Sequence, residues 1–146
     1  MAKTAWVDLT HNTVEVKETD PSLLARFLGG RGLGAKLVYD LVPPGADPLG
    51  PENVIVFTGG LFSGTPWPAA SRYHVTFKSP TTGGMGYANA GGGFGPELAM
   101  CGFDAVVVRG QASQPVYLEI TDGAVAIRPA DHLWGQKTSA VHDALM

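Results

Sequence analysis

Residues 72–102, RYHVTFKSPTTGGMGYANAGGGFGPELAMCG, decide how the rest of the chain is read. The stretch opens with strand-like alternation. Arg72, His74, Thr76 and Lys78 fall on one face, and Tyr73, Val75 and Phe77 on the other. Seven glycines follow between Gly83 and Gly95, which predicts a glycine loop in place of a packed helix or strand. Glycine reaches positive φ and lets backbone approach a ligand closely. Gly91, with Gly92 or Gly93, is expected to do so and to line a concavity shared with Arg72. Gly95-Pro96-Glu97 reads as a helix start, with Gly102 as its stop. A basic strand, a glycine loop and a helix start together suggest a seat for an anion.

Working outward, 146 residues are one domain's worth of chain. An apolar fraction of 45% against 16% charged residues describes an ordered globular protein. A net charge of −3 argues against nucleic acid, whose phosphates call for a strong basic patch. One cysteine, Cys101, excludes an internal disulfide and an all-cysteine metal site within one chain. With no long apolar run and no signal segment, the expectation is a cytoplasmic protein with no membrane partner.

From the start, residues 4–17 predict a β-hairpin across Thr10-His11-Asn12. Asp20-Pro21 caps a helix over Ser22–Leu28, stopped by Gly29-Gly30. Arg31-Gly32-Leu33-Gly34 lacks the phosphate-loop pattern and reads as a helix–helix turn before a helix over Leu33–Leu41. Val54–Thr58 and Ala105–Val108 are buried strands. Trp67, in the Gly59–Ala70 loop, either floors a pocket or plugs the core edge. A second hairpin spans 115–128, and Thr138–Met146 begins a helix.

Residues 6–20, WVDLTHNTVEVKETD, align without gaps on 117–131, YLEITDGAVAIRPAD. Leu9 meets Ile120, Val14 meets Val125, Val16 meets Ile127 and Asp20 meets Asp131. The expected fold is therefore α+β. Its antiparallel hairpins lie in two sheets related by an internal pseudo-repeat, each sheet also receives one apolar strand, and the helices are short. The second copy is incomplete, so residues 1–146 are expected to be a domain cut within its second half.

No self-contained active site is apparent. His11, His74, His132 and His142 lack metal-ligand spacing. No serine lies in a nucleophile elbow, and the glycine run fails the dinucleotide fingerprint because Pro96 stands where its third glycine belongs. What remains is a binding surface. Arg72 is either a bidentate ligand for phosphate or ring-edge acceptors, or a surface arginine. Asn89 either turns left-handed or presents its carbonyl to a hard cation such as Mg²⁺. Gly91–Gly93 offer unhindered backbone N–H groups.

RYHVTFKSPTTG and ANAGGGFGPELAMCGFDAVVVRG, with GGRGLGAKL at 29–37, DPLGPEN at 47–53, PVYLEI and HLWG, resemble the N-terminal domain of the tungsten-containing aldehyde ferredoxin oxidoreductases. The resemblance implies a base for a tungstopterin or molybdopterin bis-pterin cofactor. Arg72 would contact the pterin, between it and a [4Fe-4S] cluster. Asn89 would give its main-chain carbonyl to the Mg²⁺ joining the pterin phosphates, and Ala90, Gly91 and Gly92 would line the cofactor. Ser71 stands where the family has glycine, and Ala90 where serine can occur.

The family's cluster cysteines, second pterin motifs and acid–base residues have no counterpart here. The resemblance thus implies an oxidoreductase domain with no catalytic residue of its own, inactive in isolation. Its expected partners are downstream domains or a separate subunit, ferredoxin, an aldehyde and a second copy in a homodimer. The residues alone leave two other readings open: a stand-alone phosphate- or nucleotide-binding module, or a ligand-free interaction remnant.

Overall fold

The computed structural model describes residues 3–146. In chain order the strands are β1 (Lys3–Asp8), β2 (Thr13–Glu18), β3 (Val54–Gly59), β4 (Tyr73–Lys78), β5 (Met85–Ala90), β6 (Phe103–Arg109), β7 (Val116–Thr121) and β8 (Ala124–Pro129). The helices are α1 (Pro21–Phe27), α2 (Gly30–Leu41), α3 (Phe94–Met100) and α4 (Thr138–Leu145). A six-stranded sheet runs β2-β1-β6-β3-β4-β5, and β7-β8 pair separately. The α+β class and both hairpins are as expected. Among the described residues only β1 and β6 run parallel.

Alternation sends side chains to two cores. Leu33, Leu37 and Val38 of α2 pack on Val54, Val56, Ala105 and Val107 at one face of the sheet. Ala5, Val7, Leu98, Phe103 and Val106 fill the other, where Leu118, Ile120, Val125 and Ile127 of the second hairpin close over them. This corrects one expectation. The two apolar strands do not go one to each sheet; β3 and β6 lie side by side in the large one. Both β6 faces are apolar and buried, so β6 must be an interior strand. The amphipathic hairpin serves as a cover.

The gap-free pattern between the hairpins survives at one turn position and not in the register. Asn12 and Gly123, which align, both take positive φ (52° and 80°). Trp6 faces Glu15, but Tyr117, its counterpart, faces Arg128 instead of Ala126. The Asp122-Gly123 turn closes two residues, both at positive φ, where the first hairpin closes four. A shift of two preserves which face each side chain takes. After the second hairpin the chain makes a turn at 131–135 before α4.

The α1 cap is as read: the Asp20 carboxylate accepts from Ser22 N–H at 2.8 Å. Leu28 ends α1 in the left-handed region. The turn expected over residues 31–34 is instead the first turns of α2. The glycines there serve contact. A Cβ on Gly34 would sit 2.5 Å from Thr76 Oγ1, and one on Gly32 would strike the Phe27 carbonyl. α2 thereby lies directly on β3 and β4, with Thr58 Oγ1 donating to Gly30 O at 2.9 Å.

Candidate functional site

The expected single glycine loop divides in two around an edge strand. Residues 79–84 form a tight turn, with Ser79 N–H donating to Gly84 O and Gly83 N–H to Ser79 O, both at 2.8 Å. Met85–Ala90 then pairs with β4 as β5, so Asn89 is extended and not left-handed. Within β5 the one glycine, Gly86, lies against the Phe77 ring, where a Cβ would come within 2.7 Å. Ladder hydrogen bonds and this packing outweigh the low strand preference of glycine.

Register fixes which way the edge points. Lys78 turns its N–H and C=O toward the Asn53 side chain, at 3.1 and 3.0 Å, while Ser79 bonds Gly84. Antiparallel alternation then makes His74 and Asn89, which face each other, a non-hydrogen-bonded pair. The main-chain N–H and C=O of Asn89 therefore point off the open edge of the sheet. That is a carbonyl without a ladder partner, at the position where the resemblance places a Mg²⁺ ligand.

Arg72 precedes β4 and is exposed, and its guanidinium Nη1 donates to Asn89 Oδ1. The glycine run beside it is exposed as well. Gly95 lets α3 start against the chain entering β4: a Cβ there would be 2.7 Å from Ser71 O. Nothing lies within 4 Å of a Cβ built on Gly92 or Gly93, and on Gly91 only Ser71 Oγ at 4.0 Å. Gly92 alone of the three takes positive φ (94°). This corrects the expectation for Gly91; the turn needs one left-handed residue, and Gly93 is already helical (φ −78°), its carbonyl accepting from Glu97. Arg72, Asn89, Ala90, Gly91 and Gly92 thus form one open shelf. Phe57, Phe94 and Tyr73 pack edge-on near it, with Phe94 and Tyr73 centroids 4.7 Å apart.

Trp67 is 64% exposed and stacks on Phe62 at 5.6 Å, so it does not plug the core. Together with Arg72 and His74 these two rings line a cleft of about 310 Å³. The glycine run is not part of its lining.

Three residues of this region were not read as site residues from the sequence. Arg31, at the start of α2, lies 4.8 Å above the Tyr87 ring, and His74 stacks on the same tyrosine at 6.2 Å. His74 Nδ1 is buried without a hydrogen-bond partner. Burial holds the His74 imidazolium down first, and the charges of Arg31 and Arg72 add to it, so its pKa lies below the usual value. Alternation could have found Tyr87, which shares a face with Asn89. Nothing local could have found Arg31, which arrives from a separate helix.

Among the described residues no three His, Cys, Asp or Glu side chains converge as a metal site. Cys101 is free, its Sγ 3.9 Å from Ile120 O. No helix among them is long and apolar enough to cross a membrane.

Residues 4–146 match the family model described as aldehyde ferredoxin oxidoreductase, N-terminal domain. The chain is 46% identical over 139 residues to a tungsten-containing aldehyde ferredoxin oxidoreductase of Thermococcus kodakarensis, covering 95% of this chain and 23% of that protein. It is 44% identical over 133 residues to the enzyme of that name from Pyrococcus furiosus, covering 91% and 22%. Among solved structures, the active site complex BamBC of benzoyl coenzyme A reductase, in complex with 1,5 dienoyl-CoA, superposes with a TM-score of 0.94 at 38% identity. That match covers 98% of this chain and 22% of the other. The chain spans less than a quarter of the length of the curated relatives it matches.

Proposed function

This chain belongs to the aldehyde ferredoxin oxidoreductase family as its N-terminal domain, and from that premise we propose that its Arg72–Gly92 shelf is one face of a bis-pterin cofactor site. The metal is tungsten, the element in the names of its relatives, or molybdenum. Bound in the assembled protein, that group would supply the oxidation of an aldehyde with water to a carboxylic acid, with ferredoxin taking the two electrons by way of a [4Fe-4S] cluster held by other parts. The observation that carries this reading is the Arg72–Asn89 pair at the edge of the sheet. One side chain holds the guanidinium, while the same residue's main-chain carbonyl is left for another ligand.

The residues present fit the group. Arg72 offers its remaining guanidinium N–H donors, oriented by Asn89 Oδ1, to acceptors on a ring edge. The Asn89 carbonyl is a hard oxygen ligand suited to Mg²⁺. Ala90, Gly91 and Gly92 leave the backbone open to a flat heterocycle, with no large side chain in the way. The Phe62–Trp67 stack supplies an apolar wall beside Arg72. When bound, the metal pterin supplies the redox chemistry, and the protein binds and orients it.

What this chain does not supply is as important. One cysteine does not ligate a four-iron cluster, which takes four thiolates or equivalents. Arg72, Asn89 and the glycines would contact only one side of a flat ligand. The rest of the assembled protein, in the same polypeptide or a separate subunit, completes the site and covers Leu61, Phe62 and Trp67. The relatives' names couple this domain both to an aldehyde oxidoreductase and to a coenzyme A reductase. Substrate choice therefore falls to those other parts.

The test substitutes residues 1–146 for the matched segment of the Pyrococcus furiosus relative and expresses the fusion anaerobically with tungstate. The fusion is expected to hold tungsten and pterin and to reduce a viologen dye with aldehyde. Arg72→Ala within it should lower activity roughly tenfold to a hundredfold, the equivalent of a charge-assisted contact of about 1.5–3 kcal/mol. The 146-residue chain alone should show no turnover. Aldehyde turnover by the lone chain with stoichiometric metal would overturn the reading, as would a folded, metal-free fusion.

A further inference from the structure

We propose that Arg31 of α2 and Arg72 ahead of β4 form a two-arginine anion site over the His74–Tyr87 face, which takes a phosphate or diphosphate group. It rests on the cofactor reading only for the source of that group, a pterin side-chain phosphate.

The first ground is charge without a partner. Arg109 pairs with Asp8, Arg128 with Glu119 and Lys36 with Asp40. Arg31 and Arg72 pair with no carboxylate among the described residues, and α2 carries no acid in its first turn. Arg31 stands over Tyr87, His74 stacks on the same ring, and Asn89, which holds Arg72, faces His74 in the ladder, so both charges bear on one face of the sheet. Like charges on one face repel each other, which an anion there relieves, and both add to the burial that disfavours the His74 imidazolium.

The second ground is that both guanidiniums are anchored by neutral groups. Arg72 is oriented by the Asn89 amide, and Arg31 by the face of Tyr87 at 4.8 Å. An amide and an aromatic ring fix direction while leaving the positive charge unneutralised. The scaffold beneath is rigid. Gly30 has φ +52°, and a Cβ there would come within 3.2 Å of the His74 ring, so the Arg31 turn is seated against β4. Thr58 fastens the same turn from β3. The His74 ring that stacks on Tyr87 has a buried, unpartnered Nδ1.

A phosphoryl group suits this arrangement because its several oxygens accept from two guanidinium forks at once. A carboxylate would satisfy one fork and leave the other charge uncompensated.

The test titrates inorganic pyrophosphate into the 146-residue protein at constant ionic strength, followed by NMR of the His74 ring and the Arg31 and Arg72 Nε–H groups. Pyrophosphate should shift all three and raise the His74 pKa. Arg31→Gln and Arg72→Gln should each weaken binding at least tenfold, with Arg31→Lys intermediate and all three melting near the parent temperature. No shift at millimolar pyrophosphate, or an Arg31→Gln protein that binds like the parent, would overturn the proposal. Tungsten and pterin content of the fusion reports separately on the cofactor reading. Pyrophosphate bound through Arg31 by a domain whose fusion holds no pterin would assign the site to free phosphates. A pterin-loaded fusion indifferent to Arg31→Gln would remove Arg31 and leave the Arg72–Asn89 shelf standing.

Discussion

Two arginines stand at opposite ends of the same sheet, and their surroundings differ in kind. Arg109, closing β6, meets the Asp8 carboxylate through Nε and Nη2, both at 2.9 Å. Asp8 also accepts from the His11 backbone N–H at 3.0 Å, and that bond, followed by the His11 side chain and Arg109, pulls its pKa to about 2. Charge there is cancelled within the protein. Arg72, ahead of β4, meets only an amide and a histidine whose protonation it disfavours. Both residues are exposed arginines at strand ends. A guanidinium that its own fold neutralises stabilises the fold, and one held in place but left charged is free to meet a ligand, the role proposed for Arg72.

The largest expected effect tests the scaffold that keeps the Arg72 end rigid. Gly34→Val adds three carbons where a first one already lies 2.5 Å from the Oγ1 of Thr76, a residue that is itself fully buried. Overpacking of that kind costs roughly 1–3 kcal/mol, and valine at a site without slack should sit at the upper end. Chemical denaturation measures the loss. Thr76→Ala in the same protein should return part of it, because the two positions share one contact and are not additive. An additive double mutant would mean that α2 does not bear on β4 there.

The comparison itself is sharpened by removing each arginine. Arg109→Ala should lower the melting temperature near neutral pH, and Arg72→Ala should leave it within error, since it breaks no ion pair of the fold. The Asp8 end carries a pH signature as well. A carboxyl with a folded pKa near 2, below its ordinary value, stabilises above that ordinary value and loses the effect as pH falls toward 2. Asp8→Asn should therefore melt below the parent at pH 6 and converge with it near pH 2. Equal melting of Arg72→Ala and Arg109→Ala would erase the distinction between the two ends.

Much of this was legible in the chain because it rests on local periodicity. The Asp20-Pro21 cap, both hairpins and the two buried strands follow from alternation and turn chemistry over a few residues. Arg72 and Asn89 could be singled out because one precedes a basic strand and the other a glycine run. What stayed hidden depends on pairing across distance. Met85–Ala90 looked like loop because glycine and alanine form weak strands by themselves; β4 supplies the ladder that makes it one. The GGRGLG segment looked like a turn because six residues with four glycines suit one. Only the closeness of α2 to Thr76, His74 and the Phe27 carbonyl explains those glycines as helix contacts. Arg31 was missed for the same reason, since its neighbour Tyr87 is 56 positions away in the sequence and belongs to another element.

The smallest effect is the most discriminating, because it orders three contributions to a single pKa. His74 is held below its usual value first by burial, then by Arg31, then by Arg72. A histidine with a lowered folded pKa stabilises the protein above its unfolded value and loses that contribution as pH falls toward the folded one. Replacing either arginine with glutamine removes a positive charge and leaves most of the burial, so the His74 pKa should rise without reaching its ordinary value. Arg31→Gln should raise it more than Arg72→Gln, although Arg72 is the nearer residue in sequence. The double variant should rise further and still stop short, because desolvation is untouched. NMR titration of the His74 ring protons in the parent and three variants measures all four values. If Arg72→Gln moved the pKa more than Arg31→Gln, the α2 turn would stand farther from the shelf than its contact with Tyr87 implies. If neither moved it, the two arginines would not share a field, and the Arg72 end would be one exposed cation like any other.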